Sequence, residues 1–477
     1  MKICVIGTGF GGSPLLSEIT NTSNQINIFD ISKFQSKKNS NLPVIFPKVV
    51  NLNNENLIYH GLGGGSNLWH GVITNLDKSD KDKFKDLGLN IDKIEKKYNK
   101  RALNFLNIKY RFSNNKIFSF KNWFLKKIEK TNKFIIKKFF VQTFPKNTKT
   151  IIEKIKNKKN VKLFEECCVL NFIVNKNNKK ITHLVYYDNV KKNKFLLKAD
   201  LFILCAGAIE TPRILLQTYK ENKIPKNPAV GVGLNDHYKV EISVTKNNKN
   251  IYSDNWINKK LKSRIGFIPK NVNKGNFCLI MRPNIKQDYI LLIEKFKNFL
   301  TNKNIYSLFN FLRFITIKNL LLVLNRIFFN KKPIIGNIFE IWIDTKMSKK
   351  NKVYLNNKKD FMSRYIPVIN FKLSKYEYDQ ITYCQNFLKK NFKTLNHNKK
   401  LIKKTISSGA HFTNTCKIGS KISNSVVDKN LKSHNFNNLY LCDNSIINYI
   451  GNSNPTLTLI NFSLRLADHI KKKYKKN

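Results

Sequence analysis

An α/β fold is predicted: a Rossmann-like dinucleotide-binding domain with an inserted sheet-plus-helix (α+β) domain. The first sign is the opening run KICVIG, apolar and ending in glycine, which leads into the helix opening GTGFGGSPLLSEIT. The second is a similar run into small residues, LFILCAGA, far along the chain. The third is the stretch from about 240 to 400, where strand-like runs alternate with helices and no glycine fingerprint occurs. At 477 residues the chain exceeds one typical domain, so two domains, or one with a large insertion, fit its length.

Residues 2–7 read as a buried parallel strand because the run is continuous rather than alternating. INIFDIS is the next strand, with Asp30 near its end. Within this β-turn-α-β unit Gly7, Gly9 and Gly12 stand in G-x-G-x-x-G spacing, and the acid follows about twenty residues on. The glycines allow a tight turn, close approach of backbone to a pyrophosphate, and packing of helix on strand. The helix N-terminus offers N–H groups to the phosphates, and Asp30 would accept hydrogen bonds from ribose hydroxyls. The pattern serves NAD and FAD alike.

A second cluster, GLGGGSNLWHG, contains Gly63 and Gly64 and can press its backbone on a flat or charged ligand, with Ser66 and Asn67 available to hydrogen-bond it. Trp69 and His70 beside the glycines favour a packed site over a loose loop. Phe84 to Ile155 is basic and reads as mostly helical. VKLFEECCVLNFIVN and ITHLVYYDN read as an antiparallel pair. LFILCAGA is a buried strand; Ala206 and Gly207 give a second close approach to a cofactor, and Pro212 is expected at the start of the following helix. VGVGLNDHYKVEI then turns, through Asp236 and His237, into a sheet.

Residues 305–332 are unusually apolar but are interrupted by Arg313, Lys318 and Arg326, so they fall short of a clean membrane span. A buried or oligomer-interface helix pair is expected there, with peripheral membrane contact as the alternative.

The formal charge of +57 comes from 87 Lys plus Arg against 30 Asp plus Glu. Nearly all of the excess is lysine spread through every segment, and Asn, Ile, Phe and Tyr are inflated too, a pattern that A/T-rich codons produce. A solvated basic surface is therefore preferred to a specific nucleic-acid site, which would favour arginine. Such a field still draws anions. Eight scattered cysteines without C-x-x-C spacing indicate reduced thiols and no metal site. The first strand begins at once, leaving no room for a leader, so a cytoplasmic location, with membrane association as the alternative, is expected.

Near the C-terminus, His411 in SSGAHFTNTCKIG and Asn454 in GNSNPTLTL offer a neutral imidazole and a carboxamide, a base and a hydrogen-bond donor suited to oxidising an alcohol. The bland alternatives are a structural histidine and an N-cap asparagine. Taken with VIGTGFGGS, GLGGGSNLWHG and FILCAGAIETPRILL, this C-terminal block resembles the glucose-methanol-choline (GMC) family of FAD-dependent oxidoreductases, in the family's order along nearly the whole chain.

The resemblance implies a discontinuous FAD-binding domain of residues 1–80, 160–240 and 405–477, a helical segment at 81–159 and a substrate-binding domain at 241–404. It makes His411 and Asn454 the catalytic pair, with hydride passing from the alcohol to flavin N5. Asp443 corresponds to the acid near the flavin pyrophosphate and ribityl chain, Pro455 and Thr456 to backbone N–H groups near the flavin pyrimidine, and Val169 to a backbone contact with the adenine. Asn414 and Ile418 depart from the usual glycine and methionine of the histidine block. GGGSNLW is similar to the sugar-oxidising branch, so a sugar or polyol substrate is expected. Leu68 stands where covalent-flavin members carry histidine, and FAD is therefore expected to be held non-covalently. The electron acceptor stays open between oxygen and a quinone or redox protein, and the apolar 305–332 segment favours the latter. The rival from another class is a flavin-fold lyase, or a non-oxidising basic protein that binds membranes or polyanions.

Overall fold

The computed structural model describes residues 1–31, 43–45, 57–108, 128, 130–142, 145–245, 254–258, 261–271, 277–285, 334–391 and 406–474, with interrupted stretches between 288 and 324. In chain order the strands are β1 Lys2–Ile6, β2 Gln25–Phe29, β3 Val72–Ile73, β4 Phe134–Gln142, β5 Val161–Phe164, β6 Cys167–Asn175, β7 Lys180–Asp188, β8 Asn193–Lys198 and β9 Leu201–Leu204. They continue as β10 His237–Thr245, β11 Asp254–Asn258, β12 Leu261–Pro269, β13 Phe277–Ile285, β14 Ile334–Asp344, β15 Lys352–Lys359, β16 Tyr365–Asn370, β17 Ser407–Ser408 and β18 Leu439–Leu441. The helices are α1 Gly12–Ile19, α2 Lys78–Lys85, α3 Ile91–Phe105, α4 Lys149–Ile155, α5 Gly207–Glu221, α6 Ile305–Leu312, α7 Lys375–Asn391 and α8 Thr456–Lys473.

The first layer is a five-stranded sheet in the order β18-β9-β1-β2-β5, parallel throughout. Its strands are apolar on both faces, as a sheet covered on both sides requires; β9 is buried along its whole length. From β1 the chain moves to β2 on one side and to β9 on the other, so the crevice outside the carboxyl ends lies at a switch in strand order, where open α/β sheets bind ligands. The turns after β1, β2, β9 and β18 carry Gly7, Asp30, Ala206 and Asp443.

The second layer is a sheet in the order β17-β10-β14-β13-β12-β4-β3, with β11 on β12. One face packs Tyr238, Val240, Ile242, Phe277, Leu279, Phe339 and Ile341 against Ile381, Cys384, Phe387 and Leu388 of α7, whose spacing is that of one helical face. The other face carries Phe139, Cys278, Ile280 and Trp342 with His237, and looks toward the segment holding His411.

Several expectations are corrected. Residues 81–159 are not simply helical: β4 has strand periodicity, with Phe139 and Val141 on one face and Phe134 and Phe140 on the other, and joins the second sheet. β3, the start of β10 and β17 also belong to that sheet, although they lie in segments assigned to the cofactor domain. VKLF is the parallel strand β5; only β6 and β7 form the antiparallel pair. Pro212 lies inside α5 rather than at its start. A proline there removes the donor that Ala208's carbonyl would otherwise receive, at about 3 kcal/mol in an uncompensated helix. Thr415 repairs the gap, its hydroxyl donating to the Ala208 carbonyl at 2.7 Å. In 305–332, the described residues are mostly exposed, Ile305, Phe309, Ile317 and Leu321 among them, which overturns the buried helix pair and leaves the oligomer interface as the expectation. Among the described residues no helix is long and apolar enough to cross a membrane. All eight cysteines are free and buried, as their scatter suggested.

Candidate active site

The cofactor-side residues converge from the turns of the first sheet. Gly7 has φ +98°, and a Cβ there would lie 2.3 Å from the Cys205 carbonyl oxygen. The motif's spacing missed Gly11, where a Cβ would lie 1.9 Å from the Cys442 carbonyl oxygen, tying the first turn to the end of β18. Gly9 sits against the second glycine loop at Gly63 and Gly64, and Gly12 packs on Gly7. Thr8, between the first two glycines, donates to Asp30 at 2.5 Å and accepts from the Gly63 amide at 2.7 Å, so one hydroxyl joins the first turn, the acid of β2 and the second loop. Ser66 donates to the Gly63 carbonyl at 2.7 Å and lies 2.8 Å from the Thr148 hydroxyl, which in turn donates to the Thr8 carbonyl at 2.9 Å. Ser66 thus braces the loop and is itself buried.

Asp443 follows β18 in a buried turn. Its carboxylate accepts from the Ser445 amide at 2.8 Å and the Thr211 hydroxyl at 2.5 Å, while burial raises its pKa against those bonds. Thr211 also accepts from the Ala206 amide, so the turns after β9 and β18 share one hydroxyl. The Val169 carbonyl accepts from Arg213 at 2.6 Å, which ties this strand to the helix after β9.

On the other side, His411 and Asn454 meet: the Asn454 carboxamide nitrogen lies 3.3 Å from His411 Nε2. Asn454 is not the N-cap of α8; that position is Pro455, with Thr456 the first helical residue. Asn454 is buried and its Oδ1 has no partner among the described residues. Two residues that sequence reasoning left without a role complete the group. His237 Nε2 lies 2.7 Å from His411 Nδ1, and its ring stacks on Trp342. Asp236 accepts from the His411 amide at 3.0 Å and from the Ser408 hydroxyl. The D-H pair opening a strand was the available signal, but nothing local says which loop it will face.

The backbone around His411 is specialised. Ala410 has φ +59°, a conformation costly for a residue with a Cβ, and its amide is held by Ser408 at 2.9 Å. Asn414 takes φ +67°, the left-handed conformation a glycine would supply, and its side chain donates to the Gly233 carbonyl at 2.6 Å. The departure at Asn414 therefore preserves the turn, because asparagine tolerates that region. Ile418 is buried in the core.

Electrostatics keep the imidazoles neutral. Burial, with Lys239 and His70 nearby, pushes His411 down to about 3. Burial, then His411 and Lys239, holds His237 well below the usual imidazole range. Burial raises Asp236 to about 6 despite its bonds to Ser408 and the backbone. No cluster of metal-ligating side chains occurs among the described residues.

Sequence profiles of the GMC oxidoreductase family match residues 146–239 for its N-terminal part and 348–462 for its C-terminal part. No curated protein sequence matches the chain. Among solved structures, pyridoxine 4-oxidase from Mesorbium loti aligns with TM-score 0.67 and 11% identity over 99% of each chain. A formate oxidase of Aspergillus oryzae RIB40 aligns with TM-score 0.64 and 13% identity over 99% of this chain and 98% of the other. An FAD-dependent oxidoreductase from Chaetomium thermophilum aligns with TM-score 0.63 and 14% identity over all of both chains. At these identities the likeness is one of fold.

Proposed function

Because the chain belongs to the GMC oxidoreductase family, we propose that it oxidises a CH–OH group to a carbonyl, with His411 as base and Asn454 holding the substrate oxygen. Its cofactor is FAD. The residues present fit that group: Gly7, Gly11 and Gly12 let the turns after β1, β9 and β18 pack backbone on backbone at the carboxyl ends of the strands, a Cβ at Gly207 would meet nothing within 4 Å, and Asp30 stands at the ribose end of the motif. Gly7, Gly9, Gly12, Asp30, Gly63, Gly64, Ser66, Val169, Ala206, Gly207, Asp443, Pro455 and Thr456 would hold or border it. When bound, FAD supplies the two-electron acceptor for the hydrogen leaving the carbinol carbon.

The protein's own part is proton management. His411 Nδ1–H donates to His237 Nε2, which leaves the Nε2 lone pair of His411 directed at Asn454. A substrate hydroxyl that sits beside the pair and reaches both gives its proton to His411 Nε2, while the Asn454 N–H group holds the oxygen as it becomes a carbonyl. The imidazolium so formed lies near the Asp236 carboxylate, which also anchors the His411 backbone. Ala410 and Asn414 hold the ring in place, so orientation carries part of the rate.

The observation that carries this function is the meeting of His411 and Asn454, with the second His411 nitrogen already committed to His237. His411→Ala is expected to retain FAD, seen in the visible spectrum, and to lose flavin reduction by substrate. Unchanged anaerobic bleaching in that variant would sink the assignment. The sugar expectation rested on Trp69, whose indole N–H donates to the Lys146 carbonyl at 2.9 Å and whose ring packs edge-on against Phe10. Trp69 thus braces the loop, and substrate choice is proposed to lie with the side chains of the second sheet. Peroxide formation under air decides between oxygen and a quinone or redox protein as acceptor.

A further inference from the structure

The geometry points to an anionic alcohol as substrate, one whose carboxylate or phosphate seats on Lys239 beside the His411–Asn454 pair. This rests on the oxidative reading above. His237 and Lys239 are two residues apart on β10, so both side chains leave the same face of the second sheet. The cross-strand neighbour of Lys239 is Trp342. The Trp342 ring stacks on His237, with centroids 5.4 Å apart and planes 11° apart, and the Lys239 ammonium lies 5.5 Å from a ring of the same tryptophan. One indole therefore spans from the imidazole that bonds His411 to the ammonium of Lys239.

Two other cations of this face, Lys137 and Arg282, are held in ion pairs. Lys137 is bonded to Asp77 at 2.6 Å and to Ser453. Arg282 takes Glu340 at 3.0 Å and also Glu241. Asp236, the acid nearest the histidines, is engaged by Ser408 and the His411 amide. Lys239 makes no ion pair among the described residues and is half-buried.

An ammonium in this position repels charge on the surrounding imidazoles. It helps hold His411 and His237 neutral and, with Arg264 of β12, lowers His70 of the second glycine loop. Asp236 acts on this ammonium only at longer range and makes no ion pair with it, so an anionic substituent can take the direct partner's place and orient the hydroxyl toward His411. The net charge of +57 adds long-range attraction for such a ligand.

The test uses FAD-loaded protein and two readouts. In the first, the oxidised flavin spectrum is titrated with acetate and with phosphate, for wild type, Lys239→Met and Lys239→Arg. A saturable shift that weakens about tenfold or more in Lys239→Met and is largely retained in Lys239→Arg supports the site, and the anion that binds more tightly identifies carboxylate or phosphate as the group. Equal binding by wild type and Lys239→Met, or no binding, overturns it. In the second, anaerobic flavin reduction compares ethylene glycol with glycolate, and glycerol with glycerol phosphate. The anionic member is expected to be favoured about tenfold or more in wild type, with the preference collapsing in Lys239→Met. A preference for the neutral member overturns the inference. Failure of every alcohol to reduce the flavin, alongside a Lys239-dependent spectral shift, counts against alcohol oxidation and still supports the anion site.

Discussion

At the scale of single residues, His237 is the addition that most changes the site. It does not reach the substrate oxygen; it fixes which nitrogen of His411 is free. In His237→Ala the Nδ1 proton of His411 loses its acceptor and the tautomers mix, so flavin reduction at neutral pH is expected to fall about 10–100-fold with FAD retained. The pH profile separates this from simple misfolding. In the wild type His411 is held down to about 3, so it stays neutral and able to accept a proton through the ordinary imidazole range. Opening the site to water by removing His237 moves the His411 pKa upward, and the acid limb of the rate profile should shift to higher pH. His237→Gln, whose carbonyl can accept the Nδ1 proton, should restore part of the rate. His411 and Asn454 were legible as residues because their types and flanking pattern are local; His237 was not, because its partner lies far along the chain.

At the scale of elements, glycine positions and one proline show how the turns of the first sheet are joined. The fingerprint's own glycines were legible from spacing. Gly11 was not, because its constraint comes from the Cys442 carbonyl at the end of β18. Gly11→Ala puts a Cβ 1.9 Å from the Cys442 carbonyl oxygen, so it is expected to destabilise the fold by about 3 kcal/mol or more and to lower FAD retention. Urea unfolding and the ratio of flavin to protein absorbance check both effects. The same logic explains Pro212, which is tolerated in α5 only because Thr415, four residues after His411, supplies the missing hydrogen bond. β4 escaped sequence reading for a different reason. Its alternation is blurred by lysines on both faces, and what makes it a strand is pairing along its full length with β12.

At the scale of the whole molecule, a buried charge cluster fastens the β15–β16 hairpin to the helix after β9. Arg364, fully buried between those strands, donates to Glu210 at 2.7 Å, to Asp360 at 2.8 Å and to the Pro43 carbonyl at 3.0 Å. Arg213 takes the other oxygen of Glu210 at 2.7 Å. Burial opposes charge on Glu210, but Arg364 and Arg213 outweigh it and hold the carboxyl at about 2. Arg364→Ala leaves buried Asp360 without its ion-pair partner and Glu210 with Arg213 alone, so a loss of about 3–5 kcal/mol is expected. A denaturation midpoint equal to wild type would refute that role. Arg364→Met, close in volume but still unable to pair with Glu210, should recover little of the loss.

The amino-acid sequence alone specified the dinucleotide fold, its glycines and acid, the order of the cofactor segments and the His411–Asn454 candidates. The glycines, the acid and the strands beside them are written in contiguous periodicity and spacing, which act over a few residues, while the order of the cofactor segments and the pairing of His411 with Asn454 are what the family resemblance implies. The tertiary structure alone placed His237 against His411, Lys239 beside them on one sheet face, Gly11 under β18 and Trp69 into the loop it braces. Those neighbours depend on strand register and on which loops fold over which face, and a side chain's partner across a sheet is set by packing of the whole chain rather than by the residues flanking it.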